Sequence, residues 1–365
     1  MTKGKTPLKP RDAILRMEPY RPPSSGRGGK MRLDFNENTV GCSAGVLKRL
    51  KRLRAEDLAV YPEYQEALPK LARYFRVTTE QITLTNGTDE AIQLVVHTYV
   101  NPGDRVVVLR PSYAMYRFYA QAAGARVGEV DYLADLSFPG KKLLQTVSTR
   151  TRAVFVANPN NPTGTSASPE QLKALLRAAP QAAVLVDEAY FEFSGQTVLP
   201  WIEDYPNLFV SRTFSKAFGL AALRLGCLFS QEQNIQAVRR GQSPYSVNAV
   251  AVAAALEALR NPAYVKKYVS EVRQARQMLC DELDRQGLKY FPSQANFVLV
   301  DFEKAAQAVR ERLGEQEILV RDRSYELPGC VRITVGTLAQ TRKLIGVLRR
   351  HRGSRTAKTG MRELP

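Results

Sequence analysis

Val184-Leu185-Val186-Asp187-Glu188-Ala189-Tyr190 is an apolar, β-branched run that ends in an acid. Such a run reads as a strand buried on both faces, as in a parallel sheet, with Asp187 at its carboxyl end. Ligands of open α/β sheets bind at that edge. Taken alone, an aspartate there serves equally as a metal ligand, a helix cap or a cofactor partner. Outward from this strand the same pattern recurs in Val106-Val107-Val108-Leu109, Val154-Phe155-Val156, Leu208-Phe209-Val210 and Leu225-Gly226-Cys227-Leu228-Phe229, with helical spacing between them from about Gln81 to Phe229. That alternation predicts a largely parallel sheet with helices on both faces. From Ser246 to Gln286 the pattern turns long-helical, and Phe297-Val298-Leu299-Val300 and Val331-Arg332-Ile333-Thr334-Val335 follow, which predicts a smaller α+β domain.

Three further segments keep company with Asp187. Val154-Phe155-Val156 runs into Ala157-Asn158-Pro159-Asn160-Asn161-Pro162-Thr163-Gly164, a loop that is ordinarily just a turn. At the same sheet edge, however, the Asn161 amide can donate to a phenolate oxygen. Ile82-Thr83-Leu84-Thr85-Asn86-Gly87-Thr88-Asp89-Glu90-Ala91-Ile92 reads as strand, glycine turn and helix, the helix marked by Ile92, Val95, Val96 and Tyr99. A helix start offers free N–H groups to a phosphate, although Thr88 or Asn86 could equally cap it. Ser211-Arg212-Thr213-Phe214-Ser215-Lys216-Ala217-Phe218-Gly219-Leu220 sets one lysine among small, hydroxyl and apolar residues. Partial desolvation lowers its pKa and suits an amine that forms an imine, with Ser215 and Arg224 near enough to hold a phosphate. A Ser-Lys pair on a buried turn is also a common structural device.

Bulk properties bound the rest. A chain of 365 residues that is 44% hydrophobic buries a large core and suits two domains. The net charge of +18 would ordinarily favour nucleic acid or a membrane surface. The basic residues crowd two terminal regions, Lys3 to Arg54 and Arg342 to Arg362, with no nucleic-acid reader motif. Lys48-Arg49-Leu50-Lys51-Arg52-Leu53-Arg54 is most simply a solvated helix face. Four cysteines without CxxC spacing predict reduced thiols and a cytoplasmic protein. Two histidines, His97 and His351, argue against a metal cluster or a serine triad. No apolar stretch reaches the roughly 20 residues of a membrane span, and Met1 to Arg11 lacks the apolar core of a secretory signal.

With these segments in order, joined by Leu33-Asp34-Phe35-Asn36-Glu37-Asn38, Tyr61-Pro62, Pro111-Ser112-Tyr113-Ala114-Met115-Tyr116 and Val331 to Gly336, the chain resembles the pyridoxal-phosphate enzymes of the aspartate-aminotransferase fold, class II group, over nearly its whole length. Within that group it looks most like the histidinol-phosphate aminotransferases. The resemblance implies fold type I: a large domain at 51–245 with a mostly parallel seven-stranded sheet, and a small domain at 246–350 that the segment 1–50 joins. The tail 351–365, which lacks apolar periodicity, is expected to be disordered.

Carried over by position, the family implies that Lys216 binds pyridoxal 5'-phosphate and moves the proton. Asp187 pairs with the ring nitrogen, Asn161 and Tyr190 hold its phenolate oxygen, and Tyr113 stacks on the ring. Gly87, Thr88, Ser215 and Arg224 enclose the phosphate, assisted by Thr213, with Asp89 in the helix's first turn. Tyr61 is expected to cross from a second subunit of a homodimer. Arg332 grips an anionic substrate end, and Tyr20, Asn86 and Arg321 complete the substrate site. The implied reaction transfers the amino group of L-histidinol phosphate to 2-oxoglutarate. The alternatives are an aromatic transaminase or a phosphothreonine decarboxylase, whose usual His-Gly-Gly run is missing, and, remotely and on charge alone, a basic nucleic-acid-binding protein. The chain departs from the family at Thr39-Val40-Gly41-Cys42, where a Pro-rich turn is usual.

Overall fold

The computed structural model describes residues 8–19 and 26–359. Its strands are β1 (Met31–Leu33), β2 (Ile82–Thr85), β3 (Arg105–Arg110), β4 (Arg126–Asp131), β5 (Thr151–Ala157), β6 (Ala183–Asp187), β7 (Leu208–Thr213), β8 (Gly226–Phe229), β9 (Lys289–Phe291), β10 (Phe297–Asp301), β11 (Ile318–Asp322) and β12 (Cys330–Thr334). Seven of them form one sheet in the order β2-β8-β7-β6-β5-β3-β4, parallel throughout except that β8 runs against both neighbours. The other five form a sheet in the order β1-β11-β12-β10-β9. Here β1 pairs in parallel with β11 and the remaining pairs are antiparallel.

The continuous apolar runs follow from this layering. Along the central strands, alternate residues divide between two cores. Val107, Val154, Val156, Val184, Val186 and Val210 enter one core, while Val106, Val108, Phe155, Leu185 and Phe209 enter the other. β6 is buried at every position and stays apolar until Asp187 at its carboxyl end. The polar β4 was not foreseen. It is one of the sheet's two edge strands, half-exposed and charged along RVGEVD, and so carries little apolar signal.

The long-helical stretch is two helices, Ala249–Leu259 and Pro262–Arg285. Asn261 separates them by accepting from the Tyr264 backbone N–H, with Pro262 pre-set at the first helical position. The last helix runs Leu338–Thr359, across the first residues of the tail expected to be disordered. Its first turns are anchored by buried Leu344, Ile345, Val347 and Leu348. Residues 360–365 of that expectation lie outside the described residues. The basic run 48–54 also leaves its helix early, since Ala44–Leu50 ends before Leu53.

The last helix is clamped to Pro262–Arg285 by Glu282, a buried carboxylate that accepts from Arg349 Nε at 2.8 Å and Arg349 Nη2 at 2.5 Å, from Gln286 at 2.8 Å and from Arg285. The Arg349 hydrogen bonds first, then Gln286 and the two cations, pull its pKa from 4.5 to about 2. The folded value lies below the unfolded one, so this stability is fully present above about pH 4.5 and is lost as pH falls toward 2. Because Arg285 and Arg349 are more than half exposed, the expected loss in Glu282→Gln is discounted for screening to roughly 1–3 kcal/mol at neutral pH. Denaturant midpoints at pH 7 and pH 3 check it. The gap between variant and parent should narrow at pH 3.

Candidate active site

A cavity of about 450 Å³ opens at the carboxyl ends of β5, β6 and β7, and residues of the smaller sheet close its other side. Twelve of the residues singled out from sequence line it: Thr88, Asp89, Tyr113, Asn161, Asp187, Tyr190, Thr213, Ser215, Lys216, Arg224, Arg321 and Arg332. Gly87 backs the phosphate side of this group. Its φ is +75°, and a Cβ there would fall 2.5 Å from the Arg224 guanidinium, so only glycine leaves that space open.

Asp187 is buried and accepts from Tyr116 Oη at 2.7 Å, Ser211 Oγ at 3.0 Å and the Ala189 backbone N–H at 3.1 Å. Burial raises its pKa to about 6 against the pull of those three donors. A cation delivered to it would offset the cost of burying its charge. Lys216 lies on the turn after β7, its Nζ donating to the Phe35 carbonyl at 3.0 Å. Burial, and then the charge of Arg332, lowers its pKa to about 8, so a substantial share of the amine is neutral near physiological pH. The turn itself is pinned by the N-terminal segment. Asn38 Nδ2 donates to the Ala217 carbonyl at 3.0 Å, and Gly219, with φ +72°, sits against the Gly41 backbone. Asn38 Oδ1 accepts from Val40 and Gly41 N–H at 2.9 and 3.0 Å, so an asparagine-built turn stands where the family carries proline.

The helix Gly87–Tyr99 points its start at the cavity. Neither of the expected caps is present: Asn86 makes no side-chain cap, and Thr88 Oγ1 is buried without a hydrogen-bond partner. Glu90 instead accepts from the Asn86 N–H. Arg224 meets Asp89 at 3.1 Å, and Tyr113 Oη donates to the other Asp89 oxygen at 2.7 Å. An orphaned hydroxyl, a glycine cradle, a helix start and a guanidinium around one space fit a phosphate. Asp187 deeper in the cavity fits a protonated ring nitrogen. The residues present therefore fit pyridoxal phosphate.

Arg332 and Arg321 are register partners on β12 and β11. Arg332 donates to Asn161 Oδ1 and, at 2.6 Å, to the Asp34 carbonyl, while its Nε is left without a partner. Among the described residues it has no carboxylate partner, and burial lowers its pKa to about 10. Its contact with Asn161 oxygen leaves the Asn161 amide nitrogen for the cavity. Arg321 lies over the Phe35 ring at 5.5 Å.

Three expected residues stand elsewhere. Tyr20 lies outside the described residues. Asn86 is exposed and does not line the cavity, because it occupies the helix boundary with its backbone engaged by Glu90. Tyr61 is 74% exposed and stacks on Tyr245 at 4.5 Å along a separate cleft. Sequence reading missed Tyr116, Ser211, Asn36 and Arg323. Tyr116 sits in a quoted motif, and its helical spacing from Tyr113 was the usable signal.

A strand-end aspartate in a seven-stranded, mostly parallel sheet, faced across one cavity by a lysine turn and by arginines of a second sheet, defines the fold type I class of lysine-centred transferases. The sequence profile of aminotransferase class I and II matches residues 28–348. The histidinol-phosphate aminotransferase of Bacillus licheniformis is 36% identical over 326 residues, covering 87% of this chain and 90% of that protein. The one from Caldanaerobacter subterraneus subsp. tengcongensis is 37% identical over 88% of this chain and 92% of its own. The crystal structure of histidinol-phosphate aminotransferase from Sinorhizobium meliloti in complex with pyridoxal-5'-phosphate superposes with a TM-score of 0.84 at 28% identity, covering 94% and 99% of the two chains. The chain belongs to the class I and II aminotransferases and is a pyridoxal-phosphate-dependent enzyme of that family.

Among the described residues, no helix is long and apolar enough to cross a membrane, and no group of three or more His, Cys, Asp or Glu is placed to hold a metal.

Proposed function

We propose that this enzyme transfers the amino group of L-histidinol phosphate to 2-oxoglutarate, with pyridoxal 5'-phosphate held in the cavity described. The observation that carries the reading is that Lys216, its pKa lowered to about 8, faces Arg332, which is buried with no carboxylate partner among the described residues, and half-buried Arg321 beside it. Bound there, the cofactor supplies an electron sink for the substrate's α-carbon. Lys216 Nζ takes the proton from that carbon and returns it, a task that suits an amine titrating near the working pH. Asp187 keeps the ring nitrogen protonated, Asn161 Nδ2 and the Tyr190 hydroxyl donate to the ring oxygen, and Tyr113 covers the ring face. Thr88, Ser215 and Arg224 hold the phosphate, with Thr213 shaping the turn by accepting from the Ser215 N–H at 3.1 Å.

Arg332 and Arg321 receive the anionic substrate ends, since a planar guanidinium suits carboxylate and phosphate alike. Tyr61, exposed on its own subunit, serves the neighbour's site in a homodimer. Substrate choice rests on Arg321. Arg321→Ala is expected to cut kcat/KM for histidinol phosphate by about ten- to a hundredfold, the scale of one charged hydrogen bond. An unphosphorylated aromatic amino acid should lose much less. Steady-state kinetics on a panel of histidinol phosphate, phenylalanine, tyrosine and phosphothreonine test both points, and equal losses would make Arg321 structural. A parent enzyme that prefers phenylalanine or tyrosine would replace the proposed donor.

A further inference from the structure

Tyr190 is held by more than its place in the chain. Its ring is 4% exposed and packs edge-to-face on Phe297 at 5.2 Å, so the freedom left to it is rotation of the O–H bond. Asn36 Nδ2 donates to the Tyr190 oxygen at 2.9 Å. Asn36 is itself 1% exposed and sits at φ 56°, a left-handed conformation that asparagine tolerates better than most residues.

The direction of that amide is set by Thr334. The Asn36 backbone N–H donates to Thr334 Oγ1 at 3.0 Å, which frees the threonine proton for Asn36 Oδ1, also at 3.0 Å. With its oxygen so engaged, the amide presents nitrogen to Tyr190. The reverse assignment would leave the threonine proton without an acceptor. Asn296 Nδ2 holds the Asn36 carbonyl at 3.1 Å, completing the cage. A hydroxyl that already accepts one hydrogen bond turns its own proton away from that donor and becomes a stronger donor itself.

We infer that Asn36 is a positioning residue that acts through Tyr190: by occupying the phenol's lone pair it directs the Tyr190 proton into the cavity, toward the cofactor's ring oxygen. The inference rests on the cofactor reading given above. A proton donated to that oxygen stabilises its anion and lowers the pH at which the Lys216–cofactor linkage titrates. Loss of the Asn36 donor should raise that pH. The charged groups facing Tyr190 are Lys216, Asp187, Arg332 and Arg323, and the variants below leave all four in place.

The test is the pH titration of the bound cofactor's visible absorbance in purified dimer reconstituted with pyridoxal 5'-phosphate. Asn36→Asp keeps the size, the backbone conformation and the Thr334 contact but offers Tyr190 an acceptor, so its proton is drawn back. The midpoint should rise by about one pH unit or more. Asn36→Gly, which also accepts φ 56°, should raise it by less, and carries the test alone if the aspartate variant fails to fold. In a Tyr190→Phe background Asn36→Gly, which adds no charge, should not move the midpoint further, a non-additivity that a general structural role would not produce. An unchanged midpoint in both Asn36 variants, or an equal rise in Asn36→Gly with and without the Tyr190 hydroxyl, overturns the inference alone. Absence of any absorbance band in parent protein mixed with the cofactor overturns the cofactor reading, and this inference with it.

Discussion

Lys216→Ala is expected to lower turnover by roughly 10⁴-fold or more, the scale seen when a residue that both bonds covalently and moves the proton is lost. The substitution removes the one lysine amine among the described residues that line the cavity, which donates to the Phe35 carbonyl and lies near Arg332. Borohydride reduction of the parent holoenzyme, followed by peptide mapping, should place the cofactor on Lys216. An adduct on another lysine would overturn the assignment. Arg224, Ser215 and the start of the helix Gly87–Tyr99 stay in place, so the variant should still bind the cofactor reversibly, and equilibrium dialysis separates this loss of chemistry from loss of binding.

Asp187→Asn should retain most of the cofactor and turn over about 10² to 10³ times more slowly, as when one preorganised electrostatic partner is removed. Stability should move the other way. Burial raises the folded pKa of Asp187 to about 6, above its ordinary 3.8, so in the cofactor-free protein this carboxyl favours the fold below about pH 4 and loses that contribution as pH rises through 6. The neutral asparagine escapes that loss, and the cofactor-free variant should unfold no more easily than its parent at pH 8. Near-normal turnover, or an unfolded variant at that pH, would remove the proposed role.

Much of this was legible because the informative residues sit where periodicity stops. β6 is apolar at every position until Asp187, and the turn carrying Lys216 interrupts a buried strand pattern with small and hydroxyl residues. The edge strand β4 was not legible, since half-exposed strands carry charges that read as loop. Nor were Tyr116, Ser211 and Asn36. Each reaches Asp187 or Tyr190 across 24 to 154 residues of chain, and no local pattern encodes contacts of that range. The helix cap was misjudged for a related reason. Thr88 and Asn86 are both competent caps, but the proposed phosphate site needs free N–H groups, and only the arrangement in space, with no side-chain cap made and Thr88 Oγ1 unpaired, points to that demand.

The contacts that tie Asn36 to Thr334 and Asp34 to Arg332 each join positions 298 residues apart. Closing so large a loop costs chain entropy that is recovered only once both sheets are already formed. The candidate active site is therefore among the last parts of the molecule to assemble. In refolding from denaturant, helix signal should return before the ability to capture the cofactor, and a nascent chain on the ribosome stays chemically inert until the strand carrying Arg332 and Thr334 has emerged.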